Sequence, residues 1–168
     1  QIVLSGYMEN HYSDAGSIFP EQVEPALQFA HRGFSMLFLP LEELLGWQPA
    51  LRVTLSVIAL TTAWGFVALV CALSRPRRSL GLLGFAVAFS WQLYMGFFSF
   101  EWATGIGLLI LAFVIEGKDR SILGRILLAL ALGLQSVCHV FAAVLTGAVL
   151  VLVVGFRSAK GLRLKELG

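Results

Sequence analysis

The chain has 168 residues, 58% hydrophobic and only 13% charged, with a mean hydropathy of +0.83. So apolar a composition excludes an ordinary soluble domain, and no nucleic-acid partner is expected. The formal net charge of +2 says less than the placement of the charges. Six of the ten acids (Glu9, Asp14, Glu21, Glu24, Glu42 and Glu43) precede residue 50, with Arg32 as the only base there. The cysteines, Cys71 and Cys138, lie far apart in apolar runs and have no metal or redox spacing.

The chain starts at Gln1 and carries no visible signal peptide, which suggests an internal fragment of a longer protein. Residues 1–50 are expected to form an acidic extracytoplasmic loop with short surface helices. Within it, "YSDAGS" holds Asp14 in a turn or N-cap context. "PEQVEPALQFAHRGF" predicts a short helix after Pro20. "FSMLFLPLEELLGWQP" predicts an amphipathic interfacial helix, with Glu42 and Glu43 on the wet side, Trp47 as anchor, and Pro40 and Pro49 as punctuation. Residues 51–73 make one ordinary span. Arg52, at its outer end, either snorkels to headgroups or binds a phosphate.

Beyond this span the bases cluster: Arg75, Arg77 and Arg78; Lys118, Arg120 and Arg125; Arg157, Lys160, Arg163 and Lys165. Cytoplasmic loops are enriched in Lys and Arg. If all three clusters are cytoplasmic, the chain crosses the membrane an even number of times between them. The runs Leu80–Ile115 and Ile126–Phe156 would be about 54 and 46 Å long as single helices. A hydrocarbon core is about 30 Å thick. Each run therefore predicts two short crossings joined by a tight outer turn, recessed into the protein. The whole predicts an all-α, polytopic helical membrane protein with about five transmembrane helices and outer-face surface helices. The spans are about 51–73, 80–95, 100–115, 123–136 and 139–156, followed by a basic cytoplasmic tail over 157–168.

This topology gathers Asp14, Glu101, Gln135 and His139 on the outer side. Glu101 is the only charge in its apolar run, and its place at an outer turn near a helix start suits a carboxylate. Carboxylates with a histidine can bind a divalent cation, here Mg or Mn, or act as acid and base. The expected roles are catalytic for Asp14 and Glu101, substrate-binding for Arg52, Gln135 and His139, and metal-binding for Asp14, Glu101 and His139. Plainer alternatives stand beside these: a solvated turn acid at Glu101, a helix-end histidine at His139, a loop acid at Asp14 and a headgroup anchor at Arg52. Ala129, Gly133, Ala143 and Gly147 are expected at helix-packing positions.

The order of these features resembles the GT-C superfamily of membrane glycosyltransferases. "LEELLGWQPALRVTLSVIALTTAWGFVALVCAL" is similar to the segment that leads into the second span of that family. "FSWQLYMGFFSFEWATGIGLLILAF" resembles its "G-F-x-N-F" hairpin, with Ser99 at the asparagine position, and "HVFAAVL" is similar to its "H-P-x-A-A" turn. The resemblance covers roughly residues 10–156, the N-terminal half of such an enzyme. It implies sugar transfer from a polyprenyl-phosphate donor on the outer face, with membrane lipid and the lipid-linked donor as partners. It places the first-loop aspartate of the family on Asp14 and a second acidic position on Glu101. The expected location is a bacterial inner (plasma) membrane, multi-pass. The rival classes are a transporter or channel subunit, which places ionisable groups and broken helices at mid-membrane, and a non-catalytic membrane subunit.

Overall fold

A computed structural model describes residues 32–166, with side chains through Ser158 except those of Arg75, Arg77 and Gln92. Asp14 and the helix expected after Pro20 lie outside the described residues. The fold is all-α, as the composition requires.

Helix α1 (Gly33–Leu45) leads through Gly46, at φ 78°, into α2 (Trp47–Leu73). Pro40 does not break α1. It forgoes one hydrogen bond, to the Met36 carbonyl, and both residues are exposed, so no carbonyl is sealed unpaired in the core. Pro49 sits in the first turn of α2, where a missing N–H costs nothing. Trp47 belongs to this helix rather than to the preceding surface helix.

The stretch expected as a span over 80–95 is not one helix. It is a 3-10 segment (Arg75–Leu83) followed by two single turns, α3 (Gly84–Val87) and α4 (Trp91–Tyr94). Glycine contact explains the course. A Cβ at Gly84 would stand 2.6 Å from the Ala63 carbonyl oxygen, and one at Gly81 3.2 Å from Val67 Cα. The segment is pressed against α2 as it returns alongside it. A 3-10 helix rises about 2.0 Å per residue against 1.5 Å for an α-helix, so a short return covers more depth. Gly96, at φ 82°, turns the chain into α5 (Phe98–Ile115).

A 3-10 turn (Lys118–Arg120) then leads to α6 (Ile122–Cys138), and His139 alone separates α6 from α7 (Val140–Glu166). The region expected as a tail from residue 157 is thus a continuation of α7. Its Arg157 guanidinium donates to the last carbonyls of α5, at Val114 and at Ile115 (2.6 Å), and pairs with Asp119 at 3.6 Å. The Val114 carbonyl also accepts from the Gly117 N–H at 2.9 Å, and a cation at this helix end suits the helix dipole.

Helices α2 and α5 form the principal packing pair. The buried ladder Ala50, Thr54, Ile58, Thr62 and Gly65 lies along one face of α2. A Cβ at Gly105 would come 2.7 Å from the Thr62 nitrogen, and one at Gly65 2.6 Å from the Gly105 carbonyl oxygen. The helices run parallel, because Thr62 meets the start of α5 while Cys71 and Ala72 adjoin Glu116 and Lys118 at its end. Helix α7 is parallel to both, and α6 and the return segment oppose them. Among the described residues, three helices are long and apolar enough to cross a membrane: Trp47–Leu73, Phe98–Ile115 and Val140–Ser158.

Gly133 and Gly147 meet nothing within 4 Å, so these expected packing positions are not used among the described residues. The close crossings use Gly65, Gly84, Gly105 and Gly107 instead. Gly105→Ala is expected to lower stability by about 1–3 kcal/mol, because the clash is with backbone that cannot turn away. Gly133→Ala is expected to be neutral or to raise stability by up to about 1 kcal/mol through helix propensity. Thermal unfolding of both variants in detergent checks the contrast.

Candidate functional site

The basic segments converge on one end of the bundle. Arg75–Arg78 follow α2, Lys118 and Arg120 follow α5, and Arg157 reaches back to α5. The opposite end collects the start of α5, the α6–α7 turn and the first turn of α1. There the Phe34 N–H donates to Ser99 Oγ at 3.0 Å, and the Phe34 ring packs 5.2 Å from that of Phe98. Gly33 lies so close to α6 that a Cβ would stand 3.0 Å from Cys138 Cβ. Trp102 belongs to the core at 9% exposure, whereas Trp91 is 74% exposed.

Glu101 occupies the first turn of α5, as expected, but it is not a solvated turn residue. Its exposure is 3%. Ser90 Oγ donates to Glu101 Oε2 at 2.8 Å, which ties the return segment to α5. Thr62 Oγ1 donates to the Glu101 carbonyl at 3.2 Å, which ties α2 to the same turn. Along α2, Thr62 stands about 15 Å from Arg52 and about 20 Å from Arg75. The carboxyl therefore lies within the depth of α2, not at its outer rim. The reason is the return segment, which brings Ser90 down beside α2.

Gln135 is fully buried, at 0% exposure. Its Nε2 donates to Thr146 Oγ1 at 2.7 Å and to the Ala103 carbonyl at 3.0 Å, with the Ala142 carbonyl at 3.4 Å. This amide knots α5, α6 and α7 together. Gly107 makes room for it: a Cβ there would lie 2.5 Å from Thr146 Oγ1 and 2.6 Å from Gln135 Nε2. The amide, for which a substrate-binding role is expected, is bonded here to α5 and α7. His139 stacks edge-on against Phe100, with ring centroids 5.0 Å apart. Arg52 is exposed on α2, and its carbonyl accepts from Ser56 Oγ at 2.8 Å.

Glu101 and His139 share an end of the bundle, where His139 packs against Phe100. Glu101 engages the return segment. Ala103 and Gly107, which point roughly opposite to it at about 100° per residue, carry the α6–α7 side. Among the described residues no group of three His, Cys, Asp or Glu side chains is placed to hold a metal ion. Sequence reading missed Thr62, Ser90, Thr146 and Gly107. The available signal was hydroxyls and glycines inside apolar runs, which only the helix pairing turns into specific bonds. No family, curated protein or solved structure matches this chain.

Proposed function

We propose that the chain is part of a GT-C-type membrane glycosyltransferase that works at the end of the bundle opposite its basic loops. That end is the extracytoplasmic face of a multi-pass bacterial inner-membrane protein in this reading. The supporting observation is the segregation of charge. The basic segments share one end, while Glu101, His139 and the surface helix α1 meet at the other. A polyprenyl-phosphate sugar is the donor, Asp14 the base and Glu101 a buried partner that orients the site through Ser90. Glu101 bonds Ser90 on the return segment, and His139 packs against Phe100 at the same end of α5.

One observation favours a second reading. Glu101 is buried within the depth of a span, beside a broken return segment, as in transporters that bind ions between discontinuous helices. Two assays on the intact protein separate the readings. Membranes supplied with a lipid-linked sugar are expected to show transfer to an acceptor that depends on Asp14. Proteoliposomes without lipid-linked sugar are expected to show no solute flux dependent on Glu101. Flux lost in Glu101→Gln, with no sugar transfer by the wild type, contradicts the transferase reading.

A further inference from the structure

We propose that the cleft at the basic end binds the phosphate of an anionic phospholipid from the adjoining leaflet. This inference does not depend on the transferase reading. The ends of α2 and α5 part there to leave an open cleft of about 410 Å³, lined by Cys71, Ala72, Glu116 and Lys118. That volume is in the range of small-molecule sites. Its two walls differ in kind. The α2 wall is apolar and continues into Leu73, which is 65% exposed at the end of a membrane-length helix. The α5 wall is polar and carries Lys118.

One cation, Lys118, lines the cleft, and Arg120 stands on the same turn. Lys118 Nζ pairs with Glu116 Oε2 at 2.6 Å, but the two side chains are 60% and 38% exposed. An ion pair that exposed contributes little and exchanges readily for a stronger anion. Arg120 folds back over Gly117, so that a Cβ on this glycine would stand 3.5 Å from Arg120 Nε. Gly117 itself is at φ 78°. The guanidinium therefore shares one turn with Lys118, and the exposed Arg78 follows α2 across the gap. The nearby negative groups are already engaged: Arg157 takes Asp119 and the last carbonyls of α5. Two carboxylates thus stand at this turn, Glu116 paired with Lys118 and Asp119 paired with Arg157.

A basic loop that serves only to orient the chain needs no cleft and no apolar wall. A ligand with a phosphate beside an apolar chain uses both, and the membrane boundary supplies it. The phosphate falls between Lys118 and Arg120, and an acyl chain runs along Cys71, Ala72 and Leu73.

Native mass spectrometry of the detergent-purified full chain tests this with phosphatidylglycerol, phosphatidylcholine and inorganic phosphate. Phosphatidylglycerol is expected to bind more tightly than phosphatidylcholine, and less tightly as ionic strength rises. Lys118→Gln and Arg120→Gln are each expected to weaken it about fivefold, the worth of one base near an anionic surface. Glu116→Gln releases Lys118 and is expected to strengthen it. Arg125→Gln, which changes a base in the first turn of α6, is expected to leave it unchanged. Equal binding of the two lipids would overturn the proposal, as would a Lys118→Gln, Arg120→Gln double variant that binds like Arg125→Gln. Displacement of phosphatidylglycerol by millimolar inorganic phosphate would overturn the lipid assignment.

Discussion

Gly107→Val is expected to destabilise the bundle by about 2–4 kcal/mol, the largest effect of any single small-residue substitution considered. The new side chain would begin 2.5 Å from Thr146 Oγ1 and 2.6 Å from Gln135 Nε2, and both groups are buried and bonded to each other. Overpacking of this kind costs about 1–3 kcal/mol. Parting the hydrogen-bonded pair adds about 0.6–2 kcal/mol, the range measured for polar contacts between membrane helices. Gln135→Leu provides the comparison and is expected to cost about 1 kcal/mol or less. The Ala103 and Ala142 carbonyls keep their helical bonds, and the Thr146 hydroxyl can turn to the Ala142 carbonyl one turn back. The wild-type amide also buries an Oε1 without a hydrogen-bond partner, and the substitution removes that penalty. Thermal unfolding in detergent ranks the two. If Gln135→Leu proves the more damaging, then the amide's bonds contribute more to holding α5, α6 and α7 together than the close approach that Gly107 permits.

On the proposed transferase reading, Asp14→Asn is expected to lower sugar transfer by about 10² to 10⁴ while leaving the amount of folded protein unchanged, since loss of a general base has that magnitude. Full activity in this variant removes the catalytic assignment. Glu101 carries a structural duty as well, and two variants divide it. Glu101→Gln keeps an oxygen that can accept from Ser90 Oγ, so the return segment stays tied to α5. Its expected loss of transfer is smaller than that of Asp14→Asn, with unchanged unfolding temperature. Glu101→Ala leaves the half-buried Ser90 hydroxyl without its acceptor and is expected to cost about 1–3 kcal/mol. Equal activity in the wild type and Glu101→Gln, combined with destabilisation of Glu101→Ala, would make Glu101 a structural residue alone.

The parts of this fold that were legible in the sequence rest on composition and arithmetic. The apolar runs were too long for single crossings and the bases recurred between them, so helices turning near Phe98 and His139 followed. The return segment was not legible. Its residues are as apolar as those of a regular span, and the 3-10 course arises from Gly81 and Gly84 lying flat on Val67 and Ala63, a contact between segments with no local signature. The same gap hid the setting of Glu101. A lone carboxylate beside an aromatic turn suggested solvent, but Ser90 bonds the carboxylate and Thr62 the backbone carbonyl of Glu101 once the return segment folds down beside α2. Gln135 was legible as a polar residue in an apolar run, yet its function as a knot depends on Gly107 and Thr146 arriving opposite it.

The arrangement of ends is the claim on which the functional reading stands. Single-cysteine accessibility in sealed membrane vesicles, in a background with Cys71 and Cys138 replaced by alanine, tests it most directly. Met95, 53% exposed next to the Gly96 turn, marks the polar end, and the exposed Ser121 marks the basic end. Met95→Cys is expected to react with a membrane-impermeant maleimide only from the extracytoplasmic side, and Ser121→Cys only from the cytoplasmic side. Reaction of both from the same side, or of Ser121→Cys from the extracytoplasmic side alone, would contradict the account.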